Sequence, residues 1–135
     1  MRIVIVGCGR IGAHVARDLA DGRHEVWVVD HDADSLARLG PSFPGHCVVG
    51  QGFDEDVLRQ AEVGRADAVA VLTNVDATNF MVAAAVTTLF QVAHVTVRVN
   101  DPEFGSLYAE LGIHTLDLPE LAVQRIRAEL AGTGG

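Results

Sequence analysis

The sequence predicts a doubly wound α/β domain: a parallel sheet of about six strands between two helical layers, a three-layer α/β/α sandwich. Three observations point there. Short apolar runs alternate with helical patterns from end to end, the rhythm of a parallel sheet with right-handed crossovers. The runs are rich in β-branched residues with little polar interruption, the mark of strands buried on both faces. The first run also empties directly into a glycine-rich turn that opens a helix, Gly7-Cys8-Gly9-Arg10-Ile11-Gly12.

Arg2 to Val6 is a strand by its unbroken apolar run, and Ile11 to Ala20 is the helix that returns it. Glu25 to Val29 and Ala33 to Leu39 repeat the unit, followed by the strand His46 to Val49 and the helix Asp54 to Ala61. The second half repeats the rhythm. Ala68 to Leu72, Val95 to Val99 and Ile113 to Leu116 read as strands, with helices over Thr78 to Gln91, Glu103 to Leu111 and Pro119 to Ala131. Six strands in this succession predict the spatial order 3-2-1-4-5-6 of a Rossmann-like, dinucleotide-binding fold. One domain therefore covers residues 1–131, with Gly132 to Gly135 as a flexible tail.

Composition narrows the function. The 135 residues are 49% hydrophobic but only 5% aromatic, so the core is aliphatic. Ten basic residues against eighteen acidic give a net charge of −8. Every basic residue is arginine, which excludes lysine Schiff-base chemistry and a P-loop lysine. No basic footprint exists for nucleic acid. No apolar run approaches the ~20 residues of a membrane span, and no leader precedes the first strand, so a cytoplasmic protein is expected. Cys8 and Cys47 form neither a disulfide framework nor a zinc set; both are expected as reduced, mostly buried thiols.

The chemistry concentrates where strands end. Gly7 permits a tight turn, Gly9 lets backbone approach a pyrophosphate, and Gly12 lets the helix pack against the strand, while the helix N-terminus offers N–H groups to phosphate. Asp30, closing the second strand, is placed to accept hydrogen bonds from ribose hydroxyls and disfavours a 2′-phosphate. Asp32 either caps the next helix or touches ligand, and His31 reads as a solvated loop residue. Arg10 can reach beyond a pyrophosphate to a terminal phosphate. Arg98, inside an apolar strand, needs an anionic partner if buried: phosphate, Asp101 or Asp76. Thr73 and Asn74 can line a nucleotide, or Asn74 or Asp76 can cap the following helix. Gln51 either pairs with adenine or faces water. His46, His94 and His114 begin strands and belong to the face opposite the ligand crevice. No nucleophile–base pair suggests turnover, so the reading is not an enzyme.

Two helices bear on assembly. Phe80 to Val86 is apolar around most of its circumference, with Val82, Ala83, Val86 and Phe90 assigned to the sheet and Met81, Ala84, Ala85 and Leu89 to a second copy. The last helix carries a stripe of Leu118, Leu121, Ala122, Ile126 and Leu130, which packs at home or against a partner.

Taken together, VIVGCGRIG, HEVWVVDHD, ADAVAVLTNVDATN and VTVRVNDPEF resemble the KTN/RCK nucleotide-binding family of potassium-transport regulators over essentially the whole chain. The resemblance implies a domain that binds NAD(H) or ATP/ADP, forms dimers or rings of dimers, and gates a membrane potassium transporter or channel subunit from its inner face. The site it implies comprises Gly7, Cys8, Gly9, Arg10, Ile11, Gly12, Asp30, Gln51, Gly52, Thr73, Asn74 and Arg98. Gly50-Gln51-Gly52-Phe53 departs from the family's Gly-Asp-Ala-Thr, which removes an acidic contact at the adenine edge. The family's common C-terminal ligand-sensing lobe lies outside this sequence. The alternative is the cofactor-binding domain of an NAD-dependent oxidoreductase.

Overall fold

The computed structural model describes residues 1–133. Six strands, β1 (Arg2–Val6), β2 (Glu25–Asp30), β3 (His46–Val49), β4 (Ala68–Val71), β5 (His94–Val99) and β6 (His114–Asp117), form one sheet in the order β3-β2-β1-β4-β5-β6. All five pairings are parallel. The predicted order is the observed one, and the reversal of winding falls between β1 and β4.

Six helices connect and flank the strands: α1 (Arg10–Asp21), α2 (Ala33–Ala37), α3 (Glu55–Gln60), α4 (Asp76–Thr88), α5 (Gly105–Ala109) and α6 (Leu118–Thr133). Two apolar clusters show which layer each helix joins. Ala13, Ala16, Leu36 and Leu39 of the α1–α2 side pack on Ile3, Ile5, Val26 and Val28. On the opposite face, Leu58, Val82, Ala83, Val86 and Tyr108 of α3, α4 and α5 pack on Val4, Val6, Val29, Val69, Val71, Val97 and Val99.

The two faces are not equally covered. Only α1 and α2 serve the first face, so its β4–β5–β6 end stays open. Ala70, Thr96 and Arg98 are half-buried there, whereas Val69, Val71, Val95, Val97 and Val99 on the other side are buried. Arg98 therefore avoids the burial expected from its sequence neighbours, and its Nε donates to Asn100 Oδ1 at 2.7 Å. Neither Asp76 nor Asp101 is its partner.

Local chemistry sets the boundaries. Asp32 and Asp54 cap α2 and α3, accepting from the N–H of Asp34 and Asp56, the N-cap role that short acidic residues fill. Neither Asn74 nor Asp76 caps α4; its N-cap is Val75, which has no side-chain cap bond. Asp76 instead accepts the N–H groups of Asn100 and Asp101, both at 2.8 Å, bracing the exit of β5. The helix expected from Glu103 to Leu111 divides into a 3₁₀ turn (Pro102–Phe104) and α5, because Asp101 and Pro102 start a tighter turn.

Three further expectations change. Cys8 is buried but Cys47 is exposed, because β3 is an edge strand whose outer side has no neighbour. The last helix runs through Thr133, beyond the expected boundary at 131; Gly134 and Gly135 lie outside the described residues. Its main contact is with β6, and none of its residues with described burial is buried. Ala85 packs partly on the core instead of facing outward, whereas Met81 and Leu89 are exposed as expected. His46, His94 and His114 are exposed at the starts of their strands, with His46 stacked on Trp27.

Among the described glycines, the closest approach joins α1 to the turn before it. A Cβ on Gly12 would stand 1.8 Å from the carbonyl oxygen of Gly7. Gly12→Ala gains about 1 kcal/mol of helix propensity, but the obstacle at 1.8 Å is backbone, which cannot give way, so overpacking costs about 3 kcal/mol, the top of its usual range. Urea unfolding of Gly12→Ala is expected to show a net loss of about 2 kcal/mol; stability equal to wild type would contradict this packing.

Candidate functional site

A cavity of about 540 Å³ opens above the carboxyl ends of the strands, where the winding reverses. Ligands of doubly wound sheets bind at such a switch point. Its floor is the turn between β1 and α1, with Gly7, Gly9, Arg10 and Ile11 on the surface. Gly7 adopts φ +107°, a conformation glycine alone takes readily. Thr73 also lies close across the site: a Cβ on Gly7 would meet Thr73 N at 2.8 Å. Gly9 is the N-cap of α1, without a side-chain cap bond, and nothing lies within 4 Å of where its Cβ would be. The first N–H groups of a helix have no partner within it. Here they open into the cavity with the positive end of the helix dipole behind them.

The second wall follows β2. Asp30 lines the cavity and is itself braced: Oδ2 accepts the N–H of Cys8 at 2.7 Å, and Oδ1 accepts the N–H of Asp32 at 2.8 Å. A carboxylate offers about four lone-pair positions, so acceptor capacity is left over for a ligand hydroxyl. His31 Nδ1 lies 3.6 Å from Asp30 Oδ1. Asp32 caps α2 and lines the cavity as well.

The third wall comprises Leu72, Thr73, Asn74, Val75 and Thr78 after β4, with Arg98 of β5 beyond. Asn79, fully buried, ties this wall together. Its Nδ2 donates to the carbonyl of Thr73 at 2.9 Å and that of Arg98 at 3.0 Å, and its Oδ1 pairs with the Thr73 hydroxyl. One amide thus fixes the ends of two neighbouring strands.

Of the expected residues, Gly7, Gly9, Arg10, Ile11, Asp30, Gln51, Thr73, Asn74 and Arg98 meet around this cavity. Three do not line it. Gly12 is behind the turn, and Cys8 is buried below it and presents only its N–H, to Asp30. Gly52 is buried behind Gln51, where a Cβ would meet Val6 Cγ1 at 2.5 Å, and it lines a smaller recess of about 30 Å³. Four lining residues escaped the sequence reading: Ser35, Arg38, Val75 and Thr78. Ser35 and Arg38 are spaced i, i+3 after the capping Asp32, a spacing that places two side chains on one helix face and that would have revealed them.

The family model of the TrkA-N domain matches residues 3–119. The chain belongs to the TrkA-N family. It is 42% identical over 116 residues to the Trk system potassium uptake protein TrkA of Streptomyces coelicolor, a match that covers 86% of this chain and 52% of that protein. The chain thus spans about half the length of this curated relative. Among solved structures, "GsuK bound to ADP" superposes with a TM-score of 0.70 at 27% identity, covering 86% of this chain and 30% of that one. "GsuK channel bound to NAD" does so at 0.75 and 24% identity, covering 87% and 21%, and shows the likeness of fold.

The thiol in the glycine-rich turn of this TrkA-N domain is held protonated. Burial, and secondarily the negative charge of Asp30, pushes the Cys8 thiol up to about 11 from its usual value near 9. Thiolate is the reactive species. At pH 7.5, maleimide is expected to modify Cys47 in native protein and Cys8 only after denaturation. Mass spectrometry that found Cys8 labelled first would refute the assignment. The same shift sets an alkaline limit: the stability that comes from keeping Cys8 protonated is complete below about pH 9 and is lost as pH rises through about 11.

Proposed function

We propose that this chain is the non-catalytic, nucleotide-binding regulatory domain of a potassium uptake system. It takes NAD(H) or ATP/ADP in the cavity at the strand reversal and passes the resulting change to a membrane transporter or channel subunit. The observation that carries this reading is the convergence, in one cavity, of the α1 N-terminus, a braced carboxylate at Asp30 and two arginines, Arg10 and Arg98. In this assignment the turn from Gly7 to Gly12 receives the phosphates and Asp30 holds the ribose hydroxyls. Gln51 stands at the adenine edge, Thr73 and Asn74 line the nucleotide, and Arg10 and Arg98 meet terminal phosphate. The Streptomyces relative carries the name of a potassium uptake protein, and the GsuK relative, above a quarter identical, is described with ADP; both support the assignment. A protonated, buried Cys8 supplies no nucleophile.

Regulation needs only differential affinity: a ligand shifts a conformational equilibrium by the difference in its binding to the two states. The proposed location is cytoplasmic, at the inner membrane face through the partner. Among the described residues no helix is long and apolar enough to cross a membrane. The proposed assembly is a dimer or a ring of dimers through α4, whose exposed Met81 and Leu89 offer an apolar patch of the kind that marks an interface.

Titration calorimetry with NADH, NAD, ATP, ADP and AMP tests the site. Asp30→Ala is expected to weaken binding by ~1–3 kcal/mol, the worth of charged hydrogen bonds. Binding of none of these nucleotides to wild-type protein would overturn the reading, as would substrate-dependent oxidation of NADH. Arg10→Ala should weaken ATP more than AMP. Light scattering at micromolar concentration tests the assembly: a dimer at least is expected, weakened by Leu89→Arg, and a monomeric mass with and without nucleotide refutes it.

A further inference from the structure

The cavity is lined by two side chains, Arg38 and Val75, to which the assignment above gives no role. Arg38, at the C-cap of α2, is exposed and lines the cavity. Among the described residues its guanidinium has no carboxylate within ion-pair distance, whereas Arg2, Arg59 and Arg125 each have one. Its backbone is pinned, since Arg17 Nη1 donates to the Arg38 carbonyl at 3.1 Å. Val75, at the N-cap of α4, is 49% exposed and lines the same cavity. The two belong to opposite helical layers, α2 on one face of the sheet and α4 on the other. A planar cation and an apolar side chain therefore flank one space, with Gln51 on its lining.

We propose that Arg38 and Val75 form the two sides of a slot for the purine base, with the Arg38 guanidinium stacked on the ring face. This rests on the nucleotide reading above and adds the base-selecting residues to it. A guanidinium stacks on aromatic faces, and a β-branched residue opposite completes an apolar slot. The competing role for Arg38, holding a ribose 2′-phosphate, is disfavoured by its surroundings. Asp30 and Asp32 line the same wall, and two carboxylates repel a phosphate. A stacked base is neutral and meets no such opposition.

The test compares Arg38→Ala with wild type by calorimetry, using AMP, ADP, ATP, CDP, NADPH and inorganic pyrophosphate. The backbone bond from Arg17 survives the substitution, and circular dichroism checks the fold. The expected result is a loss of about 3- to 10-fold for AMP, ADP and ATP alike, with pyrophosphate unchanged and the preference for ADP over CDP reduced. Arg38→Lys restores charge without a plane and should recover little of the loss. A loss that grows from AMP to ATP, or one confined to NADPH, assigns Arg38 to anion binding and overturns the proposal. So does unchanged ADP affinity in a variant whose parent binds ADP. If wild-type protein binds no adenine nucleotide, the nucleotide reading falls and the slot with it.

Discussion

The cavity exists because α1 approaches β1 too closely for any side chain to intervene. The Gly12 Cα faces the Gly7 carbonyl at a distance that forbids a Cβ, and Gly7 makes the same demand on Thr73. Two absent methyl groups thus bring three segments together: the end of β1, the start of α1 and the loop after β4. Widening either contact would carry the α1 N-terminus away from the β4 wall. The helix dipole would then act on open solvent, where its field is screened.

Around that contact, polar groups do work that sequence alone assigns to ligands. Asp30 holds the glycine-rich turn and the entry to α2 through the N–H groups of Cys8 and Asp32. Asn79 holds the ends of β4 and β5, and Asp76 holds the loop beyond. Buried polar networks of this sort rigidify a site when every member is satisfied. Preorganisation lowers the ordering cost that binding otherwise meets.

The sheet and its order were legible because parallel strands covered on both sides advertise themselves as unbroken aliphatic runs. The glycine spacing and Asp30 then located the site without help from distant contacts. What escaped depended on which neighbour a residue meets. Arg98 read as a buried charge because its strand neighbours are valines, yet the sheet face it joins lacks a covering helix. Cys47 read as buried by its residue type, and the edge position of β3 exposed it. Gly52 read as a ligand contact, when its lack of a side chain makes room for Val6 and Val82. Ser35 and Arg38 flank Leu36, which packs on the sheet, so their place at the cavity edge follows from how α2 docks.

The weak attachment of α6 gives the molecule a gradient of rigidity. The helix's sixteen residues make their main contact with the edge strand β6, and Leu121, Ile126 and Leu130 are exposed. A helix of that length that buries none of its described residues draws little stability from tertiary packing and is marginal in water. Its amides therefore exchange with solvent through local opening, while those of β1 and β4 await global unfolding. A protein docking on this exposed helix would stiffen it most.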